Sequence, residues 1–348
     1  MNVSVLQIFI PATISFLIGI ALTPFISHIL YANKMWKPKS GKTALDGTPA
    51  ATFNELHQEV GTPRFGGIIV WGSVFLTAVF LELLQLQFPD AFHMLAFISR
   101  AQTWVPMGAF AIGAAVGFID DLFEVRGKQG IKLRTRLGVV AVVSCLCALW
   151  FYEKLSVTSI SIPFLAQPLT IGIWFIPLFI IVSLFIYAGG VIDGIDGLAG
   201  GEFASIFVAY AGIAYFQHQY DIASLCAAIA GGLLAFLWFN IPPARFYLSE
   251  TGTMALTLVL TVVAFLTDVL GGGRGLMVLP IIALPLVVTV LSNILQLFGK
   301  KILKRKILRI APLHHHFEAI GWPSYKVTMR YWIVGVIAAI LGMAIALL

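Results

Sequence analysis

The sequence predicts an all-α, polytopic membrane domain of about ten transmembrane helices, with both termini on the outer side and a reaction site on the cytosolic face. Three observations predict it. Of 348 residues, 59% are hydrophobic and 11% charged, whereas soluble domains carry about 25% charged residues. Apolar runs near the roughly 20 residues needed to cross hydrocarbon recur from end to end. Lys and Arg fall almost entirely on alternate loops, and basic residues concentrate on the cytoplasmic side of membranes.

The apolar runs are 4–30, 66–85, 104–119, 137–151, 171–188, 203–216, 222–239, 254–270, 277–297 and 330–348. Each is read as a helix, because backbone in hydrocarbon must satisfy its own hydrogen bonds. The first has no Lys or Arg before Lys34 and is longer than a signal-peptide core, so it is read as a retained span. Loops 31–65, 120–136, 240–253 and 298–330 hold 5, 5, 1 and 8 basic residues, which is 19 of the chain's 22. Arg100, Lys154 and Arg274 face the other way. The net charge of +6 is therefore mostly orientation bias and requires no nucleic-acid partner, although basic loops also favour anionic headgroups and phosphorylated substrates. Eleven of the 16 acids share the basic side: Asp46, Glu55, Glu59, Asp120, Asp121, Glu124, Asp193, Asp196, Glu202, Glu250 and Glu318. Cys145, Cys147 and Cys226 lie in apolar runs without metal-ligand spacing. No repeat or low-complexity linker divides the chain, which is read as one domain, 1–348.

Four stretches carry chemistry. Asp120 and Asp121 end the third run, and adjacent carboxylates repel unless a cation or hydrogen bonds compensate; alone, the pair also reads as a solvated helix end. Asp193-Gly194-Ile195-Asp196-Gly197 follows the fifth run in a loop without Lys or Arg, which suits Mg²⁺ held by one or two carboxylates plus phosphate oxygens. Between Phe239 and Thr253, Asn240 offers amide hydrogen bonds, Arg245 a phosphate fork, Tyr247 a stacking face and Glu250 another acid, although Pro242-Pro243 also punctuates an ordinary turn. His314, His315 and His316 offer imidazoles to a phosphate or sugar hydroxyl, adventitious metal binding being the plainer reading. Two further stretches assist. The paired glycines of Gly61-Thr62-Pro63-Arg64-Phe65-Gly66-Gly67 admit close backbone packing or a phosphate. Lys300 to Arg309 has the face pattern of an interfacial amphipathic helix.

In these residues the chain resembles the polyprenyl-phosphate N-acetylhexosamine-1-phosphate transferase superfamily, and most closely its peptidoglycan branch. The Gly61-Thr62-Pro63 motif with Gly66-Gly67, Gly117-Phe118 with Asp120-Asp121, Asp193-Gly194 with Asp196-Gly197-Leu198-Ala199, Phe239-Asn240 with Pro243-Ala244, and Ala311 to Glu318 with Gly321-Trp322 come in the family's order. The resemblance covers the whole chain, and the histidine loop is its most specific part. It departs from the family pattern at Glu59 and Glu124, which stand where Lys is usual, at Tyr187 and Gly190 for Asn, at Glu250 for Asp and at Arg64 for Thr.

The resemblance implies transfer of phospho-N-acetylmuramoyl-pentapeptide from its UDP derivative to undecaprenyl phosphate, giving lipid I and UMP, in the bacterial plasma membrane. It implies Mg²⁺ near Asp121, Asp193 and Glu250, with Asp120 orienting or deprotonating the lipid phosphate. Asp196, Asn240 and Tyr247 would meet the uridine, Arg64 and Arg245 the phosphates, and His314, His315 and His316 the sugar-peptide or diphosphate. One-step attack and an aspartyl intermediate both stay open, and a homodimer is implied. The alternative reading is transfer of N-acetylglucosamine-1-phosphate to the same lipid. A secondary transporter would use acids such as Glu82 and Asp268 within the spans, but it should place such groups in related halves, and no half-repeat is visible. An inactive scaffold is the third reading, raised by the changed Lys and Asn positions.

Overall fold

The computed structural model describes residues 3–37, 61–127, 130–163, 165, 167–269 and 273–348; the expected loop acids Asp46, Glu55 and Glu59 lie outside them. The long helices are α1 (Val3–Ala32), α2 (Gly67–Gln87), α3 (Trp104–Val125), α4 (Leu133–Lys154), α5 (Phe175–Gly189), α6 (Leu198–Phe216), α7 (Tyr220–Asn240) and α8 (Ser249–Val269). They are followed by α9 (Gly275–Ile282), α10 (Leu284–Lys301), the short α11 (Leu313–Ala319) and α12 (Ser324–Ala346). Among the described residues nine helices are long and apolar enough to cross a membrane, or ten if the bent pair α9 and α10 is one span. The chain is thus a multi-pass membrane protein. Among the described residues the strands are a two-residue antiparallel ladder between β1 (Ser159–Ile160) and β2 (Leu169–Thr170).

Where hydropathy alone misplaces an edge, the reason is local. Helix α3 continues past Ile119 to Val125, so Asp120 and Asp121 sit on a helix and are both fully buried. Helix α4 begins at Leu133 rather than 137, which puts Arg136 in its first turns. Glu202, read as a loop acid, is buried inside α6. The expected ninth span bends by 71° between Ile282 and Leu284. Pro285 stands at the start of α10 and has no N–H to continue the ladder of α9. The stretch after Lys301 is not the expected amphipathic helix. Gln296 Oε1 accepts from the backbone N–H groups of Ile307 and Leu308, its Nε2 donates to the Leu308 carbonyl, and Lys304 has φ 53°. Those bonds hold a non-helical strap.

Helix α8 is the axis of the bundle and is buried nearly all round, as a helix apolar on every side should be. Three of its hydroxyls are satisfied within the helix: Thr253, Thr257 and Thr261 each donate to the carbonyl four residues back. Small residues let neighbours approach, which is how helices associate where lipid offers no hydrophobic contrast. A Cβ built on Gly113 would stand 2.8 Å from Ala255 Cα, and one on Gly231 would stand 2.1 Å from the Ala12 carbonyl oxygen. These contacts draw α3 against α8 and α1 against α7. Phe151, Phe175, Phe179 and Phe265 form an aromatic knot between α4, α5 and α8, with Phe179 and Phe265 stacked at 4.2 Å.

Candidate active site

The start of α8 gathers the acids. Its first turn leaves backbone N–H groups without intrahelical partners, and the helix dipole makes that end attractive to anions. Ser249 N–H donates to Asp193 Oδ2 at 2.7 Å. Asp121 Oδ2 accepts three bonds, from Ser249 Oγ at 2.7 Å, Thr251 N–H at 2.8 Å and Thr251 Oγ1 at 2.6 Å. Two acids separated by 72 positions in sequence are thereby anchored to one helix turn. Glycine makes the approach possible: a Cβ on Gly117 would stand 2.1 Å from the Glu250 carbonyl oxygen, and one on Gly67 would stand 2.3 Å from Gly252 N. Gly66 and Gly67 donate their N–H groups to the carbonyls of Tyr247 and Leu248. The glycine pair therefore serves close backbone packing.

Two arginines compensate the acids. Arg136 Nη1 pairs with Glu250 Oε1 and lies 3.2 Å from Asp120 Oδ2, while Asp120 Oδ1 accepts from the Ile131 N–H. Tyr187 Oη donates to Glu250 Oε2 at 3.3 Å. Arg64 Nε lies 2.9 Å from Asp121 Oδ1, and its Nη1 pairs with Glu124 Oε2, which also meets Lys37 Nζ at 2.8 Å. Burial opposes the charge on Arg64, but Asp121, Glu124, Asp193 and Glu250 outweigh it, and the guanidinium is held above its ordinary value. Glu124, which stands where the family has Lys, is thus one half of a pair with Arg64.

The nucleotide-side candidates divide. Asp196 Oδ2 accepts from the Ala244 N–H at 2.9 Å, and Asn240 Oδ1 accepts from the Gly197 N–H at 2.9 Å while its Nδ2 donates to the Phe246 carbonyl. Both side chains tie the Asp193–Gly197 turn to the segment after α7. Tyr247 is half-buried next to this segment, and Arg245 is exposed, with its guanidinium 5.6 Å over the Phe239 ring.

The histidines reach the same turn. A Cβ on Gly194 would stand 2.7 Å from Nε2 of both His314 and His315, so these two buried imidazoles lie directly on the acid-bearing loop. His315 Nδ1 is 2.7 Å from Glu318 Oε2, which fixes the ring's orientation. His316 turns away and accepts from the Arg309 N–H at 3.1 Å. Asp120, Asp121, Asp193, Glu250, His314 and His315 are therefore linked at one end of the bundle. Arg136, Tyr187, Ser249 and Thr251 join them. Sequence reading counted Arg136 only toward orientation and Tyr187 only as a departure.

The donor set is all hard oxygen, which suits Mg²⁺. Among the described residues no three His, Cys, Asp or Glu side chains close into a ready-made cage, so Asp121, Asp193 and Glu250 do not form one unaided. Mg²⁺ typically takes one or two carboxylates and completes its shell with water and phosphate oxygens. Asp121 Oδ1, buried, without a hydrogen bond and compensated by the charge of Arg64, is an acceptor of the kind such an ion requires. The residues fit.

Comparison with known proteins agrees with the motifs. The family described as Glycosyl transferase family 4 matches residues 103–268. A phospho-N-acetylmuramoyl-pentapeptide-transferase of Listeria monocytogenes serotype 4b is 33% identical over 321 residues, covering 89% of this chain and 91% of that protein. One from Listeria welshimeri is 32% identical over 318 residues, with the same coverage, and one from Geobacillus thermodenitrificans is 30% identical over 347 residues, covering 97% of each chain.

Proposed function

The chain belongs to the phospho-N-acetylmuramoyl-pentapeptide transferase family, and from that premise we propose that the acids at the start of α8 position a sugar diphosphate for attack by a lipid phosphate. Its function is the family's: phospho-N-acetylmuramoyl-pentapeptide passes from its UDP derivative to undecaprenyl phosphate, yielding lipid I and UMP at the bacterial plasma membrane. The observation that best supports this reading is that Ser249 and Thr251 bind Asp193 and Asp121 while Gly194 lies against His314 and His315.

Phosphoryl transfer through a loose transition state needs in-line positioning and charge neutralisation more than covalent help. Asp121 and Asp193, with Glu250 beside them, would hold Mg²⁺, which when bound neutralises charge on the diphosphate. Arg64 and Arg136 bring two positive charges to the same cluster of acids. Asp120, held by Arg136 and the Ile131 N–H, orients the lipid phosphate. That phosphate has a second pKa of about 6, so little proton abstraction is needed. His314 and His315 face the sugar-peptide or diphosphate, Asp196 and Asn240 hold the turn beneath the uridine, and Tyr247 offers it a stacking face. Arg245 and His316 take outer contacts with substrate. We read residues 1–348 as one membrane domain with both termini outside, in contact with the bilayer and paired as a homodimer.

The decisive assay uses purified protein, undecaprenyl phosphate and Mg²⁺. UMP should be released from UDP-N-acetylmuramoyl-pentapeptide and not from UDP-N-acetylglucosamine; the reverse preference overturns the donor assignment. Asp193→Asn should stop UMP release in a protein that still inserts and melts as the parent does. Near-normal turnover of that variant removes Asp193 from the reaction.

A further inference from the structure

Asp121 is held unevenly. Its Oδ2 takes three hydrogen bonds from Ser249 and Thr251, whereas Oδ1 faces Arg64 Nε at 2.9 Å without the alignment of a hydrogen bond on either atom. One oxygen is fixed by directed bonds, and the other is compensated by charge alone. The arginine itself is held in place by its backbone. Its N–H donates to the Met35 carbonyl at 2.9 Å, and the next residue, Phe65, is fully buried with φ 73° and donates to Ser249 Oγ at 3.2 Å. The guanidinium thus stands at the place where a divalent cation on Asp121 Oδ1 would have to be.

Two cations cannot share that oxygen at contact distance. A divalent cation and a guanidinium a few ångströms apart repel strongly where water is largely excluded. A guanidinium moved off a carboxylate keeps its stability if it meets another planar, oxygen-rich anion, and phosphate is the group its fork matches. We propose that Arg64 is an exchangeable counter-ion: it neutralises Asp121 until a divalent cation takes that carboxylate, and it then pairs with a phosphate of the nucleotide donor, so that cation and diphosphate bind cooperatively. The proposal rests on Asp121 being a metal ligand, as read above. Glu124 would anchor the outer end of the exchange, since its Oε2 meets Arg64 Nη1.

The test follows Mn²⁺, a hard divalent cation with a spectroscopic signal, by electron paramagnetic resonance on the full chain in nanodiscs, with UDP as the diphosphate and Mn²⁺–UDP in solution accounted for. The unsubstituted protein should bind Mn²⁺ on the order of tenfold more tightly with saturating UDP than without, within the usual range of coupling between sites. Arg64→Ala should bind Mn²⁺ about tenfold more tightly than the parent in the absence of UDP, and UDP should add little. Arg64→Gln, which keeps length and drops charge, serves if the alanine variant does not fold. Lys37→Ala removes a nearby charge that touches Glu124 and should change Mn²⁺ affinity far less. Equal Mn²⁺ affinity in parent and Arg64 variants overturns the exchange, as does an equal gain from Lys37→Ala. The metal reading fails separately if Asp121→Asn leaves Mn²⁺ binding unchanged, and the exchange then falls with it.

Discussion

Arg136 shows how much a single residue decides in a site made of acids. It touches two carboxylates from different helices, Asp120 of α3 and Glu250 of α8, and its side chain is only 19% exposed. Removing one member of such a pair leaves buried charge uncompensated, which is worth about 3–5 kcal/mol where burial is complete and less here. Arg136→Ala should therefore lower kcat for UMP release by at least about tenfold, while Arg136→Lys, keeping a charge but losing the fork, should recover part of it. Equal kcat in parent and Arg136→Ala would refute the role. The sequence offered Arg136 as one of five basic residues in a loop, and nothing in composition separates a charge that orients a helix from one that neutralises a site. Glu250 is the opposite case. It was legible as a carboxylate in a motif, but its partner Tyr187 lies 63 positions away and reaches it only after α5 and α8 have packed.

At the scale of elements, α12 does more than cross the membrane. Thr328 Oγ1 donates to the Asp196 carbonyl and Trp332 Nε1 to the Gly197 carbonyl, both at 3.1 Å, so the last helix clamps the turn that carries Asp193. Gly201 makes room for the indole, since a Cβ there would stand 2.0 Å from Trp332 Nε1. Gly197 lies at φ 76°, a left-handed conformation that glycine adopts without strain. Trp332→Phe keeps an aromatic side chain while removing the indole N–H and its second ring, the lost hydrogen bond being worth about 0.5–1.5 kcal/mol. If the bond positions the turn, kcat should fall by roughly threefold to tenfold with KM for the nucleotide little changed and the melting temperature nearly intact. A lower melting temperature with unchanged kcat would mean that the indole only packs. The helices themselves were readable from hydropathy because lipid imposes one period and one length. Their ends were not. Asp120, Asp121 and Arg136 read as loop because charge marks the water boundary in such a reading, yet each is offset by a partner from another helix and so stays helical, the two acids fully buried and Arg136 half-buried. The break before α10 had a local sign in Pro280 and Pro285, whereas the strap after Lys301 depends on Gln296 folding its amide onto it.

Across the whole molecule, the acids, both buried histidines and Arg64 and Arg136 lie at one end of the bundle, the end at which α3 finishes and α8 begins. Arg100, Lys154 and Arg274 border the opposite ends of α3, α4 and α9. The grouping of the site motifs was foreshadowed by the loop charges alone, because alternate loops of a helical bundle must share a side. Lys and Arg near span ends resist translocation, so the end bearing Lys37, Arg64, Arg126 and Arg136 should face the cytosol, where the nucleotide donor is made. The C-terminus then lies outside. Cysteines placed at Lys304 in the exposed strap and at the exposed Leu348 separate the two sides. The native Cys147 and Cys226 are buried, and Cys145 lies within the apolar length of α4, so they should give little background with a charged maleimide. In intact spheroplasts the reagent should label Leu348→Cys directly and Lys304→Cys only after the membrane is permeabilised. Labelling of Lys304→Cys from outside, with Leu348→Cys protected, would invert the protein and put the acids on the face that UDP-linked substrates do not reach.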